Sequence, residues 1–190
     1  MRLNAHAMTP KFWTSESVAP SAPFVVLVCG GSDRPGGFKH WVLDITGGAA
    51  TAVVIDKVVG GYAHDIDIPQ VRHAVIRLVN ESKCVGVLDT HECSPWCALR
   101  GIGGPTTPQI LFNADAKDGV KGPDGRLLLG AKLALANLTN VVAILDAARA
   151  AGKSVMIEQP VGRGLGSHHA IEGREHHTTS YDTTVLGGFV

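Results

Sequence analysis

Four short apolar runs separated by helical periods predict an α/β fold: a Rossmann-like, doubly wound, mostly parallel sheet with helices on both faces. Three observations lead there. The runs Phe24 to Cys29, Ala52 to Ile55, Val85 to Leu88 and Ser154 to Ile157 are uninterrupted, and the first three are made largely of Val, Leu and Ile, the pattern of strands buried on both sides. The segments between them place apolar residues three and four apart, and parallel neighbours need such crossover helices. Each run stops at a glycine or an acid (Gly30, Asp56, Asp89, Glu158), so the residues least suited to a core gather at the carboxyl edge, where open α/β sheets bind ligands.

Residues 1–23 mix Ser, Thr, Pro and Asn and end in Ala19-Pro20-Ser21-Ala22-Pro23, which leaves no period to follow and predicts a flexible arm ahead of one domain over 24–190. Phe24 to Cys29 is the first strand. The turn from Gly30 to Gly37 leads into a helix over 38–45, whose residues Phe38, Trp41, Val42 and Ile45 share a face. The second strand ends at Asp56. Ile68-Pro69 to Asn80 is the next helix, with proline at its start and Val71, Val75, Ile76 and Val79 on one side. Val85 to Leu88 is the third strand. Gly101 to Gly125 carries prolines and glycines without a period, longer than an ordinary connection, and is expected to lie over the site. From Arg126 to Ala151 a single helical period runs to Gly152, placed for a left-handed cap. Ser154 to Ile157 is the fourth strand, and Thr183 to Leu186 reads as a short fifth. The chain then ends without a closing element, which predicts a domain incomplete at its C-terminus.

Composition narrows the function. The 190 residues carry 17 Lys and Arg against 17 Asp and Glu, a formal net charge of zero, so no broadly basic surface for nucleic acid follows and any such contact is local. Hydrophobic residues at 45% are enough for a buried core. No unbroken apolar run reaches the roughly 18 residues of a membrane span, and the start lacks a secretory apolar stretch; the expectation is an intracellular protein, cytoplasmic or nuclear, with no membrane partner. Cys29, Cys84, Cys93 and Cys97 lack the density of a disulfide scaffold and read as free thiols.

Several residues could carry chemistry. Gly30 and Gly31 permit close backbone approach to a ligand but match neither common phosphate-binding pattern. Asp56 either accepts from ribose hydroxyls, caps a helix or is a solvated turn residue. Asp65 either accepts from an adenine amino group or makes an Asx turn. The densest cluster runs from Asp89 to Cys97, Asp-Thr-His-Glu-Cys-Ser-Pro-Trp-Cys. It reads as a zinc site of His91, Cys93 and Cys97 with a tail histidine (His168, His169, His176 or His177), as a packed structural turn, or as a nucleophile turn around Cys93. The tail histidines otherwise belong to an exposed segment.

Taken together, the glycine loop after the first strand, Asp56 after the second, Asp65, Cys93-Ser94-Pro95-Trp96-Cys97 and Ile157-Glu158-Gln159-Pro160 resemble the S-adenosylmethionine-binding half of C5-cytosine DNA methyltransferases. They also resemble divergent methyltransferase-like domains of mobile-element polyproteins. The resemblance runs from about Phe24 to Pro160. It implies a cofactor, S-adenosylmethionine, held by Gly30, Gly31, Asp56 and Asp65, with no metal. It implies Cys93 as the nucleophile, Glu158 as the acid that holds the base, and nucleic acid as partner, DNA before RNA. Arg100 and Arg163 are then candidate phosphate contacts or solvated surface residues. Glu92 stands where that family has proline, and Gln159 where it has asparagine. A non-catalytic nucleic-acid or protein interaction module and a zinc-stabilised domain are the alternatives from other classes.

Overall fold

The computed structural model describes residues 20–31, 35–91, 111, 112, 116 and 118–158. Most of the expected arm, the segment from Glu92 to Arg100 with Cys93 and Cys97, and everything after Glu158, including Arg163, the paired histidines and the strand expected at 183–186, lie outside the described residues.

Strands β1 (Phe24–Val28), β2 (Thr51–Ile55), β3 (Cys84–Asp89) and β4 (Ser154–Ile157) form one sheet in the order β2-β1-β3-β4. Every pairing is parallel. Helix α1 (Phe38–Ile45) joins β1 to β2; a short helix α2 (Lys57–Gly60), a 3₁₀ turn (Gly61–His64) and helix α3 (Pro69–Val79) join β2 to β3; helix α4 (Leu129–Ala150) precedes β4. The chain leaves β1 toward β2 and then returns past β1 to β3. Right-handed crossovers therefore place α1 on one face and α3 with α4 on the other. The packing agrees. Val42 of α1 sits with Leu27, Ala52 and Leu88, while Phe24, Val26, Val28 and Ile55 meet Val75 of α3 and Val141 and Leu145 of α4. The fold is α/β and Rossmann-like, with helices on both faces, as the strand and helix periods predict.

Alternation along β1 explains why its run has no polar residue. Phe24, Val26 and Val28 face the α3 and α4 side, Val25 and Leu27 face α1, and each fully buried side chain of this size contributes about 1.5–3 kcal/mol. Helix α4 is long and apolar enough to cross a bilayer by length and composition. In the fold its stripe of Ala131, Leu138, Val141, Ile144, Leu145 and Ala148, all at 0% exposure, packs as a core helix does. It ends as expected. Gly152 takes φ +69°, Lys153 N–H donates to the Ala148 carbonyl at 2.9 Å and Gly152 N–H to that of Arg149 at 3.0 Å, a Schellman cap.

Two boundaries differ from the sequence reading. The period that suggests a helix from Arg126 begins one turn too early, because Leu127 bridges back to Lys121 and Leu128 N–H donates to the Val120 carbonyl at 3.0 Å. The stretch after Asp56 is ordered as α2 and the 3₁₀ turn, where the sequence offers no helical period.

Candidate functional site

The four strands end in register. Ile55, Val28, Asp89 and Ile157 form one row across the sheet, so Asp56, Cys29, Thr90 and Glu158 follow at the same level. Because the crossovers from β1 and from β2 run in opposite directions, the ends of β1 and β3 flank the switch point at which α/β sheets open a crevice.

The backbone there is held by side chains. Asp56, 7% exposed, accepts from Val58 N–H at 2.7 Å, capping α2, and from Gly31 N–H at 2.8 Å. Both of its oxygens are engaged, each retaining one further acceptor site. Thr90 Oγ1 donates to the Cys29 carbonyl at 2.7 Å. Cys29 itself has φ +57°, the left-handed region that a non-glycine residue enters at a cost of about 1–2 kcal/mol. Its thiol is pushed up to about 12, by burial first and then by the Asp89 and Asp56 carboxylates. It is a protonated thiol at neutral pH.

A cavity of about 590 Å³ opens beside these residues, within the roughly 300–1,000 Å³ of small-molecule sites. Cys29, Asp56, Asp65 and Thr90 reach it from the sheet side, Leu133 and Asn137 from α4, and Leu111 from the long connection. Its titratable lining is acidic, with Asp56, Asp65 and Asp67 against Lys57. Asp65 makes the Asx turn, accepting from Asp67 N–H at 3.0 Å, and still lines the cavity. Asp67 accepts from Asn137 at 3.1 Å and Asn140 at 2.9 Å, which ties this turn to α4.

Asp89 ends β3 within that row, between Val28 and Ile157. It is 0% exposed, its Oδ2 meets His91 Nδ1, and its Oδ1 has no hydrogen-bond partner among the described residues. In the zinc reading His91 is a ligand; here its Nδ1 is turned to Asp89, and the cysteines and tail histidines of that reading lie outside the described residues.

Of the residues read from sequence, Asp56 and Asp65 share the cavity. Gly30 and Gly31 are not among its lining residues; the N–H of Gly31 is taken by Asp56. Glu158 does not line it either. It is exposed at the end of β4, and its N–H donates to the Asp89 carbonyl at 2.8 Å. Cys93 lies outside the described residues. Sequence reasoning missed Cys29, His64 and Thr90 as lining residues; the one available signal was that each sits within a residue of a strand end or of Asp65. No family model, curated protein or solved structure matches the chain.

Proposed function

We propose that the chain is an S-adenosylmethionine-dependent methyltransferase domain acting at C5 of cytosine in nucleic acid, DNA before RNA. The observation that carries this reading is the meeting of Asp56 and Asp65, 9 positions apart and separated by a helix and a 3₁₀ turn, in one cavity at the switch point. Its size suits a nucleoside-bearing ligand, and three carboxylates against one lysine favour a cation over a nucleotide polyphosphate. The remaining lone pairs of Asp56 suit a ribose diol, and Asp65 suits an amino group.

When bound, the cofactor supplies an electrophilic methyl group. The chain supplies the rest. Cys93 adds as thiolate to C6 of the base, which makes C5 nucleophilic. Glu158, as the carboxylic acid, donates to N3 and so favours that addition. With the methyl group on C5 and S-adenosylhomocysteine released, loss of the C5 proton to a base from solvent would restore the C5–C6 double bond, expel the Cys93 thiolate and return the N3 proton to Glu158.

The test is covalent trapping. An oligonucleotide with fluorine at C5 of cytosine cannot lose a C5 proton, so with S-adenosylmethionine it should stay bound to the protein through denaturation. Cys93→Ser should abolish the complex, Cys97→Ser should retain it, and Glu158→Gln should form it far more slowly. Absence of any complex, with cofactor binding established by calorimetry, would favour the interaction module. Trapping that follows Cys97 would move the nucleophile.

A further inference from the structure

We propose that His64, seated on the bare backbone of Gly60 at the cavity wall, is a ligand-contacting residue that makes occupancy by a cationic ligand depend on the charge of its imidazole. The ligand class rests on the methyltransferase reading above; the seat does not. His64 closes the 3₁₀ turn and lines the cavity together with Asp56 and Asp65. Gly60 lies directly beneath the ring. A Cβ built there would overlap the imidazole, falling 2.5 Å from Cδ2 and nearer still to Cγ and Nδ1. The Gly60 backbone, at φ −101° and ψ 2°, asks for no glycine. The space the ring occupies is therefore what demands glycine here, and the ring rests directly on the Gly60 backbone at the cavity wall.

The chemistry of the wall gives that placement a consequence. Burial pulls the His64 imidazole below its ordinary 6.5, with the Asp56 carboxylate opposing, so the ring is neutral at neutral pH. The charged groups facing the same space are Asp56, Asp65 and Asp67 with Lys57, and the Cys29 thiol is protonated. Histidine is the side chain whose ordinary titration falls between pH 5 and 8. Acidification thus adds one positive charge to the wall, next to a ligand that is itself a cation. A neutral imidazole, by contrast, leaves the wall without that charge.

The experiment compares S-adenosylmethionine with S-adenosylhomocysteine, which lacks the sulfonium charge, by calorimetry at pH 7.5 and 5.0. The proteins are the full chain, His64→Gln and Gly60→Ala. Wild-type affinity for S-adenosylmethionine should fall on acidification, and affinity for S-adenosylhomocysteine less, because only the first carries the sulfonium charge; linkage limits the loss to the share of free protein that is protonated. Both variants should flatten the difference between the two ligands. Gly60→Ala is the sharper of the two, since it keeps the imidazole and only displaces it. A difference that persists in either folded variant overturns the inference, as does a wild-type profile that is the same for both ligands. Failure of the wild type to bind S-adenosylmethionine at pH 7.5 is a separate result. It overturns the methyltransferase reading, and the ligand class named here with it.

Discussion

Replacing Asp56 with alanine removes two hydrogen bonds with one substitution, and their geometry sets the expected loss. The Val58 N–H at 2.7 Å is a helix N-cap, for which truncation costs about 0.5–2 kcal/mol. The Gly31 N–H at 2.8 Å donates to an ionised acceptor, a bond of about 1.5–3 kcal/mol. With Asp56 only 7% exposed, water is poorly placed to substitute, and a total of about 2–5 kcal/mol is expected. That is a large share of the roughly 5–15 kcal/mol that holds a domain together. Asp56→Asn separates the two bonds. Its carbonyl can take one N–H, its amide group must face the other, and a loss of about 1–2 kcal/mol is expected. Urea unfolding followed by circular dichroism measures both, with the slope as a check that the unfolded state is unchanged. An alanine variant within about 0.5 kcal/mol of wild type would refute the reasoning, because neither bond would then hold the β1 and β2 ends together. Affinity for S-adenosylmethionine, the proposed cofactor, should be read on Asp56→Asn, the milder of the two substitutions, which removes half of the acceptor capacity.

Two further outcomes follow from the same geometry. Gly86→Ala should destabilise by about 1–3 kcal/mol in the same urea assay, since a Cβ there would stand 2.9 Å from the Ser154 carbonyl oxygen, a backbone atom that cannot turn aside; a neutral result would mean that β4 moves freely against β3. Cys29 should resist iodoacetamide at pH 8 in the folded protein and react fully in urea, read by mass spectrometry, because its thiol is held up at about 12 against an ordinary 9.0. A thiol favoured in its protonated form by the fold contributes stability that is fully present below pH 9.0 and is lost as pH rises toward about 12, so Cys29→Ala should also flatten the alkaline limb of the stability profile. Equal alkylation of folded and unfolded protein contradicts both statements.

The strands were legible because burial on both faces forces an uninterrupted apolar run, and Phe24 to Val28 has no other reason to lack a polar residue. Helices α1 and α3 were legible for the complementary reason: each buries one stripe, and the period shows it. Helix α2 escaped because four residues cannot display a period; it exists through the Asp56 cap, which the sequence offers only as one of the roles open to that aspartate. The start of α4 was misplaced because Leu127 and Leu128 continue its apolar spacing while their backbones are engaged by Lys121 and Val120. The cavity was the least legible feature. Its walls come from Cys29, His64, Thr90 and Asn137, and only the order β2-β1-β3-β4, which no single element encodes, brings them to one place.

That order also separates charges. The acidic cavity lies at the ends of β1 and β2, whereas Glu158 stands beyond β4, on the far side of β3. Asp89 occupies the row between them, fully buried and paired with His91. A polyanion is repelled by the three cavity carboxylates and gains only Lys57 in return, so in the proposed reading nucleic acid cannot share the cofactor's entrance. In that same reading the base arrives from the Glu158 side, and the methyl group is presented across the end of β3. Thr90 is the residue at that crossing which also lines the cavity, and its hydroxyl is committed to the Cys29 carbonyl. The strained turn at Cys29 and the cavity wall at Thr90 are therefore tied together, Thr90 Oγ1 to the Cys29 carbonyl at 2.7 Å and Thr90 N–H to the Val28 carbonyl at 3.0 Å, so that whatever loosens the turn displaces that wall.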